Sequence, residues 1–519
     1  MKTLALALLL LAMIPARAGT VLNRGNGAEP ESLDPAFAGS SAEINILGDM
    51  MVGLTTLDAA ARPIPGIAER WETSSDGLTW TFHLRAARWS DGKPVTAENF
   101  LFAWRRLLDP KTAARGAEML WVIKNARDIS AGRLPAASLG VTVSGPASLK
   151  IVLEHPAPYL PELLTLPAAL PLPPAPSFKP GDYISNGPYL LKAWLPNDHI
   201  TLAKNPRFYD AANVKIDTVN YFPTADSQAA LKRLRAGELD MQTPLPTQEL
   251  AWLRANMPAS LHLMPSLALA YIAINQRDPA LADIRVRRAL NLIYDREAVA
   301  DKVMKRSETP AYSYVPPGLN SYFNGPQLDF KSLPAPARLA QARKLMQDAG
   351  FGPFNKLTLN YLTPGNPDHK RLAAVFQAMA RQIYVDLRIN TADYALALRA
   401  MRQGQYQLGY TSWLADFSDA SNFLDLLRSG SPGNYAGYRN PKFDNLLAQA
   451  AAEPDAARRA ALLQAAERIA LADMPWLPIR FLTQSEAVGP RVGGYVQNPR
   501  DFNRSRWLWI KAGIDPRSN

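Results

Sequence analysis

One acidic side chain set among aromatic and small residues, in the run Tyr410-Thr-Ser-Trp-Leu-Ala-Asp416-Phe, is where this 519-residue sequence is richest in chemistry. A carboxylate beside Trp413 and Phe417 leaves water with its charge uncompensated, which is costly unless a cation or several hydrogen-bond donors meet it. The natural partner is a ligand ammonium. The competing reading makes Asp416 the cap of a helix near Ser418 to Leu427, a position that aspartate favours.

No other set of residues rises to a catalytic or metal-binding pattern. The five histidines, His83, His155, His199, His262 and His369, are far apart, and no pair has the H-x-x-x-H spacing that helical zinc ligation needs. The chain has no cysteine, hence no thiol nucleophile and no disulfide framework. G-x-S-x-G is missing, and Ser90-Asp-Gly-Lys93 matches S-x-x-K in a turn without its companion elements. Carboxylates are plentiful, so a glycosidase-type pair could form in space, but spacing along the chain does not single one out. The expectation is a binding protein, not an enzyme, with no cofactor and no metal.

The elements that must position Asp416 alternate between strand and helix patterns. Trp80-Thr-Phe-His-Leu-Arg85 alternates as a strand, Ser90-Asp-Gly92 turns, and Thr96 opens a helix whose Phe100, Trp104, Leu107 and Leu108 share a face before Pro110. Lys150 to Glu154 reads as a strand. Six prolines between Pro167 and Pro180 favour extended backbone and predict a semi-rigid connector. Pro265 to Asn275 is a second extended crossing, followed by helices near Asp283 to Ile293 and Arg296 to Met304. Beyond these, the pattern predicts strands at Leu357 to Tyr361, Val385 to Asn390 and Gln407 to Ser412, with helices at His369 to Ile383 and Tyr394 to Arg402 between them. That alternation predicts a βαβ-type lobe with Asp416 at the carboxyl end of a strand, where open α/β sheets place ligands.

Lys2, the apolar run Leu4 to Met13 and Ala16-Arg17-Ala18 form the pattern of a secretory signal over 1–18, with a mature start at Gly19. With no cysteine to acylate, a periplasmic protein without a lipid anchor is expected. The formal charge of +11 comes from scattered basic residues. Its tightest groups, Arg285 to Arg288 and Lys302 to Arg306, read as solvated helix faces, and no nucleic-acid motif accompanies them. At this length, two or more lobes are expected.

Several blocks carry a family resemblance: Glu31-Ser-Leu-Asp-Pro35, Pro65-Gly-Ile-Ala-Glu-Arg-Trp71, Trp80 to Arg85, Trp89-Ser-Asp-Gly-Lys-Pro-Val-Thr-Ala97, Ser185-Asn-Gly-Pro-Tyr189, Asp283 to Leu290, Pro310-Ala-Tyr-Ser-Tyr314 and Trp413-Leu-Ala-Asp416. In this order, across essentially the whole mature chain, they resemble the extracytoplasmic oligopeptide- and dipeptide-binding proteins of ABC importers, and most of all the periplasmic oligopeptide binders. The resemblance implies an α/β, two-lobed clamshell of the class II periplasmic-binding-protein type, with an extra α/β subdomain in a discontinuous N-terminal lobe. Residues 19–51, 177–270 and 487–519 would form the base lobe, 52–176 the extra subdomain and 271–486 the second lobe. It implies a monomer that encloses a short peptide or peptide-like ligand and delivers it to a membrane permease.

On that resemblance Asp416 pairs with the ligand α-ammonium, and the backbone at Ser412, Leu414 and Ala415 pairs with the peptide main chain. Trp413 and Tyr394 border side-chain pockets, and Tyr271, His369 and Tyr410 match further ligand-proximal positions. Trp413 and Tyr394 could equally be lobe core, Tyr271 could pack the crossing strand, and His369 could cap a helix. The departures bear on specificity. Where the family carries basic residues for the ligand carboxylate this chain has Met304 and Tyr410, and a pocket glutamate appears as Ala273. Those departures predict a ligand with a free amine and a modified or solvent-reaching C-terminus, such as a cell-wall peptide. The alternatives are a haem, metal complex or sugar derivative on the same fold, or a cell-wall enzyme.

Overall fold

The computed structural model describes residues 19–305, 307–319 and 322–514. The signal expected over 1–18 lies outside them. Among the described residues no helix is long and apolar enough to cross a membrane.

A long mixed sheet organises the chain. Its strands are β1 (Val21–Gly25), β2 (Tyr189–Leu195), β3 (His199–Lys204), β4 (Thr218–Phe222), β5 (Met241–Gln242), β6 (Leu261–Ile274), β7 (Leu357–Pro364), β8 (Val385–Ala392), β9 (Leu408–Leu414) and β10 (Trp476–Val488). They lie in the order β8-β7-β9-β6-β10-β5-β1-β4-β3-β2. The β7, β8 and β9 strands are parallel neighbours separated in sequence by the helices Pro367–Arg381 and Tyr394–Arg402, which is the βαβ alternation expected from the sequence. A separate four-stranded antiparallel sheet takes Ala68–Thr73, Thr79–Leu84, Ser148–Val152 and Val141–Val143 in that order.

The hydrophobic side chains gather into two large clusters, giving the two-lobed architecture. One runs from Leu267 to Phe481 and contains β7, β8 and β9; the other takes Leu22 to Tyr221 together with Val488, Val492 and Leu508. The antiparallel pair β6 and β10 passes from one to the other. In β6, Leu261 and Leu263 pack on a third, small cluster while Leu267 to Ile274 belong to the first. In β10, Trp476 to Phe481 belong to the first and Val488 to the second. The boundaries read from sequence at 270/271 and 486/487 both fall inside these crossing strands.

The helix opened by Thr96 spans Ala97–Leu108, held by a reciprocal capping box in which Asn99 Oδ1 accepts the Thr96 amide at 2.8 Å. The proline-rich stretch divides: its first half is buried, while Pro174, Ala175, Lys179 and Pro180 are exposed. Ala168, Ala169, Leu170 and Leu172 are buried, Trp104 Nε1 donates to the Ala169 carbonyl at 3.1 Å, and Pro167–Ala169 forms one 3-10 turn. Proline forbids a ladder but not burial, so this extended chain packs against the helix that precedes it.

The motif Ser185-Asn-Gly-Pro-Tyr189 is scaffold. Asn186 accepts the Val52 amide at 3.0 Å and donates to the Val52 carbonyl at 2.8 Å. A side chain at Gly187 would lie 2.5 Å from the Met50 carbonyl, so the close approach of two backbones requires glycine there.

Candidate functional site

Asp416 follows β9, in the loop that leaves the carboxyl end of the strand. The helix after it is short, Ser421–Leu424, with Ala420 at its N-cap, and it is Asp419 whose Oδ1 accepts the Ser421 amide at 2.9 Å. Among the described residues no backbone amide donates to the Asp416 carboxylate, so the cap reading fails. Its side-chain contact is Asn422 Nδ2, which reaches Oδ2 at 3.5 Å. The Asn422 oxygen is taken by Trp413 Nε1 at 2.7 Å and the Asp416 amide at 3.3 Å. Burial pushes the Asp416 carboxyl up to about 6, offset in part by Asn422; Glu118 adds to the rise and Arg500 opposes it. Arg500 itself donates to the Asp416 carbonyl at 2.8 Å, not to the carboxylate. The site holds a half-desolvated negative charge with no cation paired to it among the described residues.

Beside it runs an open strand edge. The β7 strand pairs with β9 through Leu362 and Gly409, whereas β6 follows β9 as far as Leu414. Beyond Tyr410 the edge of β9 turned away from β6 has no strand partner among the described residues. The Ala415 amide donates to the Leu267 carbonyl at 2.8 Å. By antiparallel alternation Trp413 and Thr411 also face β6, which leaves Ser412 and Leu414 turned to the open edge. Leu414 is 48% exposed. Of the three residues expected to offer backbone groups, Ser412 and Leu414 are placed to do so, and the Ala415 amide is already engaged.

The expected aromatic positions divide. Tyr394 is 42% exposed and its hydroxyl lies 3.5 Å from Thr411 Oγ1. It borders a cavity of about 450 Å³ lined by Pro364, Gly365, Asn366, Thr391, Ala392 and Asp393 at the carboxyl ends of β7 and β8. His369 is in the first turn of its helix, with Nδ1 2.7 Å from Asn366 Oδ1 and its ring edge-on to Tyr410 at 4.4 Å. Tyr271 is only 1% exposed and stacks on Trp476 at 4.1 Å, so the structure places it in the core.

Three further sets of contacts were not legible beforehand. Phe417 leaves the first cluster and packs on the second, stacked on Tyr159 at 4.1 Å. Glu162, from the second cluster's side, accepts the Ser418 amide at 2.7 Å and lies 3.4 Å from Arg500 Nη1. Arg480 on β10 is buried under Tyr410, with Nη2 donating to the Tyr410 hydroxyl at 3.3 Å and Nε 2.6 Å from Glu308. A lone arginine in the apolar run Trp476 to Leu482 was the signal that could have found it. A buried cation therefore lies against Tyr410, reaching it across β6.

Comparison with known proteins matches residues 62–435 to the model of the bacterial extracellular solute-binding proteins, family 5. The periplasmic oligopeptide-binding protein OppA of Escherichia coli (strain K12) is 34% identical over 505 residues, covering 94% of this chain and 92% of the relative. The probable deoxycholate-binding periplasmic protein YgiS of the same organism is also 34% identical, covering 95% of this chain and 94% of the relative. Among solved structures, Haemophilus influenzae OppA in complex with the peptide RPPGFSPFR superposes with a TM-score of 0.82 at 32% identity, over 95% of this chain and 99% of that one.

Proposed function

Because this chain belongs to the bacterial extracellular solute-binding proteins of family 5, we propose that it is the periplasmic substrate-binding component of a peptide ABC importer, which encloses a short peptide between its lobes and presents it to a membrane permease. The protein is a carrier and not an enzyme, works as a monomer and is not lipid-anchored. The observation that carries this reading is the Asp416 carboxylate, half-desolvated and without a paired cation, at the end of an open β9 edge. An extended peptide satisfies both features at once. Its α-ammonium neutralises Asp416, and its main chain takes the free groups of Ser412 and Leu414 as an added strand. Main-chain pairing reads no side chain, which supports acceptance of varied sequences.

The same site argues against a ligand that is only an anion. Deoxycholate carries a carboxylate and no amine, so it would meet Asp416 with like charge, whereas a peptide meets it with the opposite one. Titration calorimetry with a tripeptide, its N-acetyl form and deoxycholate tests the proposal. The free amine should bind at least about 30-fold more tightly than the acetylated peptide, the cost of leaving one partner of a desolvated charge pair alone being on the order of 2–5 kcal/mol. Tighter binding of deoxycholate than of any peptide would overturn it.

A further inference from the structure

The ligand's other end has a seat as well. Ala270 on β6 lies opposite Ser412 on β9 and opposite Arg480 on β10, so Ser412, Ala270 and Arg480 present side chains to one face of the sheet, with Tyr410 two residues along on the same face. Arg480 is 3% exposed and Tyr410 is 4% exposed. The guanidinium has Glu308 against Nε and the Tyr410 hydroxyl against Nη2, while Nη1 is buried without a hydrogen-bond partner. That donor is open to a further acceptor, and an unpaired buried N–H on a charged group is expensive.

We propose that Arg480, acting with the Tyr410 hydroxyl, receives a carboxylate at the far end of the ligand, the free C-terminus of a short peptide. The assignment rests on the peptide reading above. A hydroxyl that accepts from a guanidinium has its own proton free to point elsewhere, and acceptance from a cation makes it a stronger donor. Tyr410 therefore offers its O–H to the ligand carboxylate, and Arg480 supplies the charge behind it. Glu308 balances the arginine in the empty protein. His369, edge-on to Tyr410, closes the same wall.

The spacing sets a length. The level of Ser412 and Arg480 is four residues back from Asp416, roughly 13 Å at about 3.3 Å per residue. An extended tripeptide separates its two charges by about 10 Å and a tetrapeptide by about 13 Å. Peptides of three or four residues bridge Asp416 and the Arg480 wall; a dipeptide does not.

The experiment measures affinities of alanine peptides two to five residues long, each as free acid, C-terminal amide and N-acetyl acid, for the wild type and for Y410F and R480Q. In the wild type the free acids of three and four residues should bind about 10- to 100-fold more tightly than their amides, the range for one charge-assisted contact. Y410F and R480Q should bring acid and amide close to parity while leaving the N-acetyl penalty intact. Wild-type acids no better than amides, or an acid preference that survives both substitutions, would overturn the assignment. Y410F keeps the test valid if R480Q does not fold. Wild-type indifference to N-acetylation would instead remove the peptide reading beneath it.

Discussion

The strongest prediction concerns pH. On the proposed reading a peptide ammonium pairs with Asp416 only when the carboxyl is ionised, and burial with the lobes in contact as here raises that carboxyl to about 6. Apparent affinity should therefore be nearly flat above pH 7 and fall as pH drops through 6. With one proton competing with the ligand, the loss is about tenfold at pH 5 and approaches a hundredfold at pH 4, or roughly 1.4 kcal/mol per unit. The sign for the empty protein is opposite. A carboxyl whose folded value lies above its unfolded value of 3.8 destabilises the fold at neutral pH, and this is relieved as pH falls from 6 towards 4. The shift corresponds to at most about 3 kcal/mol. Asp416→Asn should abolish the pH dependence of binding between pH 7 and 5, weaken peptide binding, and leave the melting temperature of the empty protein unchanged or higher at pH 7. Calorimetry across pH 4–8 and differential scanning calorimetry supply the two readouts. An unchanged pH profile in Asp416→Asn, or a strongly lowered melting temperature with binding intact, would refute the reasoning.

Other positions give independent checks. Glu467 is fully buried, accepts the Tyr314 and Val315 amides at 2.7 and 2.9 Å and the Tyr322 hydroxyl at 2.5 Å, and its carboxyl is pushed by burial up to about 7. Since that value is raised, stability should grow as pH falls from 8 to 6, and Glu467→Gln should flatten this rise in a thermal melt. Gly187→Ala should disrupt folding, since its Cβ would fall 2.5 Å from Met50 backbone atoms that no rotamer can move; solubility and a thermal melt report it. Arg459 and Asp419 form a buried pair at 2.5 Å, and Arg459→Met should cost about 3–5 kcal/mol by leaving Asp419 uncompensated, read from chemical denaturation.

The periodic elements were open to reading from sequence because their causes are local. The helix Tyr394–Arg402 has the bounds its pattern predicts, and the strand before Asp416 ends two residues beyond the expected Ser412. The chemistry of Asp416 was legible too, since Trp413 and Phe417 are its chain neighbours. Its partners were not. Glu162 lies 256 residues from the Ser418 amide it accepts, and Arg500 lies 84 residues from the Asp416 carbonyl, so no local pattern connects them. The buried first half of the proline stretch was hidden for a related reason. Composition announces an extended backbone, but whether that backbone is wet or packed depends on Trp104 and Asn99, which belong to a helix about 70 residues earlier. The β10 strand was hidden by Pro478, a residue that argues against a central strand; there it pairs beside a register shift opposite Ala270 and Tyr271, where the ladder is already interrupted.

On the proposed reading, the Asp416 loop is also where ligand binding and lobe closure meet. Its carboxylate meets Asn422, while Arg500 holds its carbonyl, Glu162 holds the Ser418 amide, and Phe417 lies on Tyr159. These contacts join the first hydrophobic cluster to residues of the second, and Thr247 to Asp368 at 3.5 Å and Arg254 to Ser307 at 2.8 Å add to them at another point of the cleft. Closing them desolvates Asp416. Without a ligand, closure carries the cost of a buried, unpaired charge; with an ammonium in place, that cost is cancelled and the closing contacts remain. A ligand drives a conformational change only by its differential affinity for the two states, and a penalty of at most about 3 kcal/mol amounts to roughly a hundredfold bias. Removing the charge should release the bias without any ligand. Empty Asp416→Asn should therefore show a smaller radius of gyration in solution scattering than the empty wild type, whereas Glu162→Ala, which deletes a closing contact, should keep the protein extended even with peptide bound. If empty Asp416→Asn scatters as the empty wild type does, the carboxylate does not hold the lobes apart.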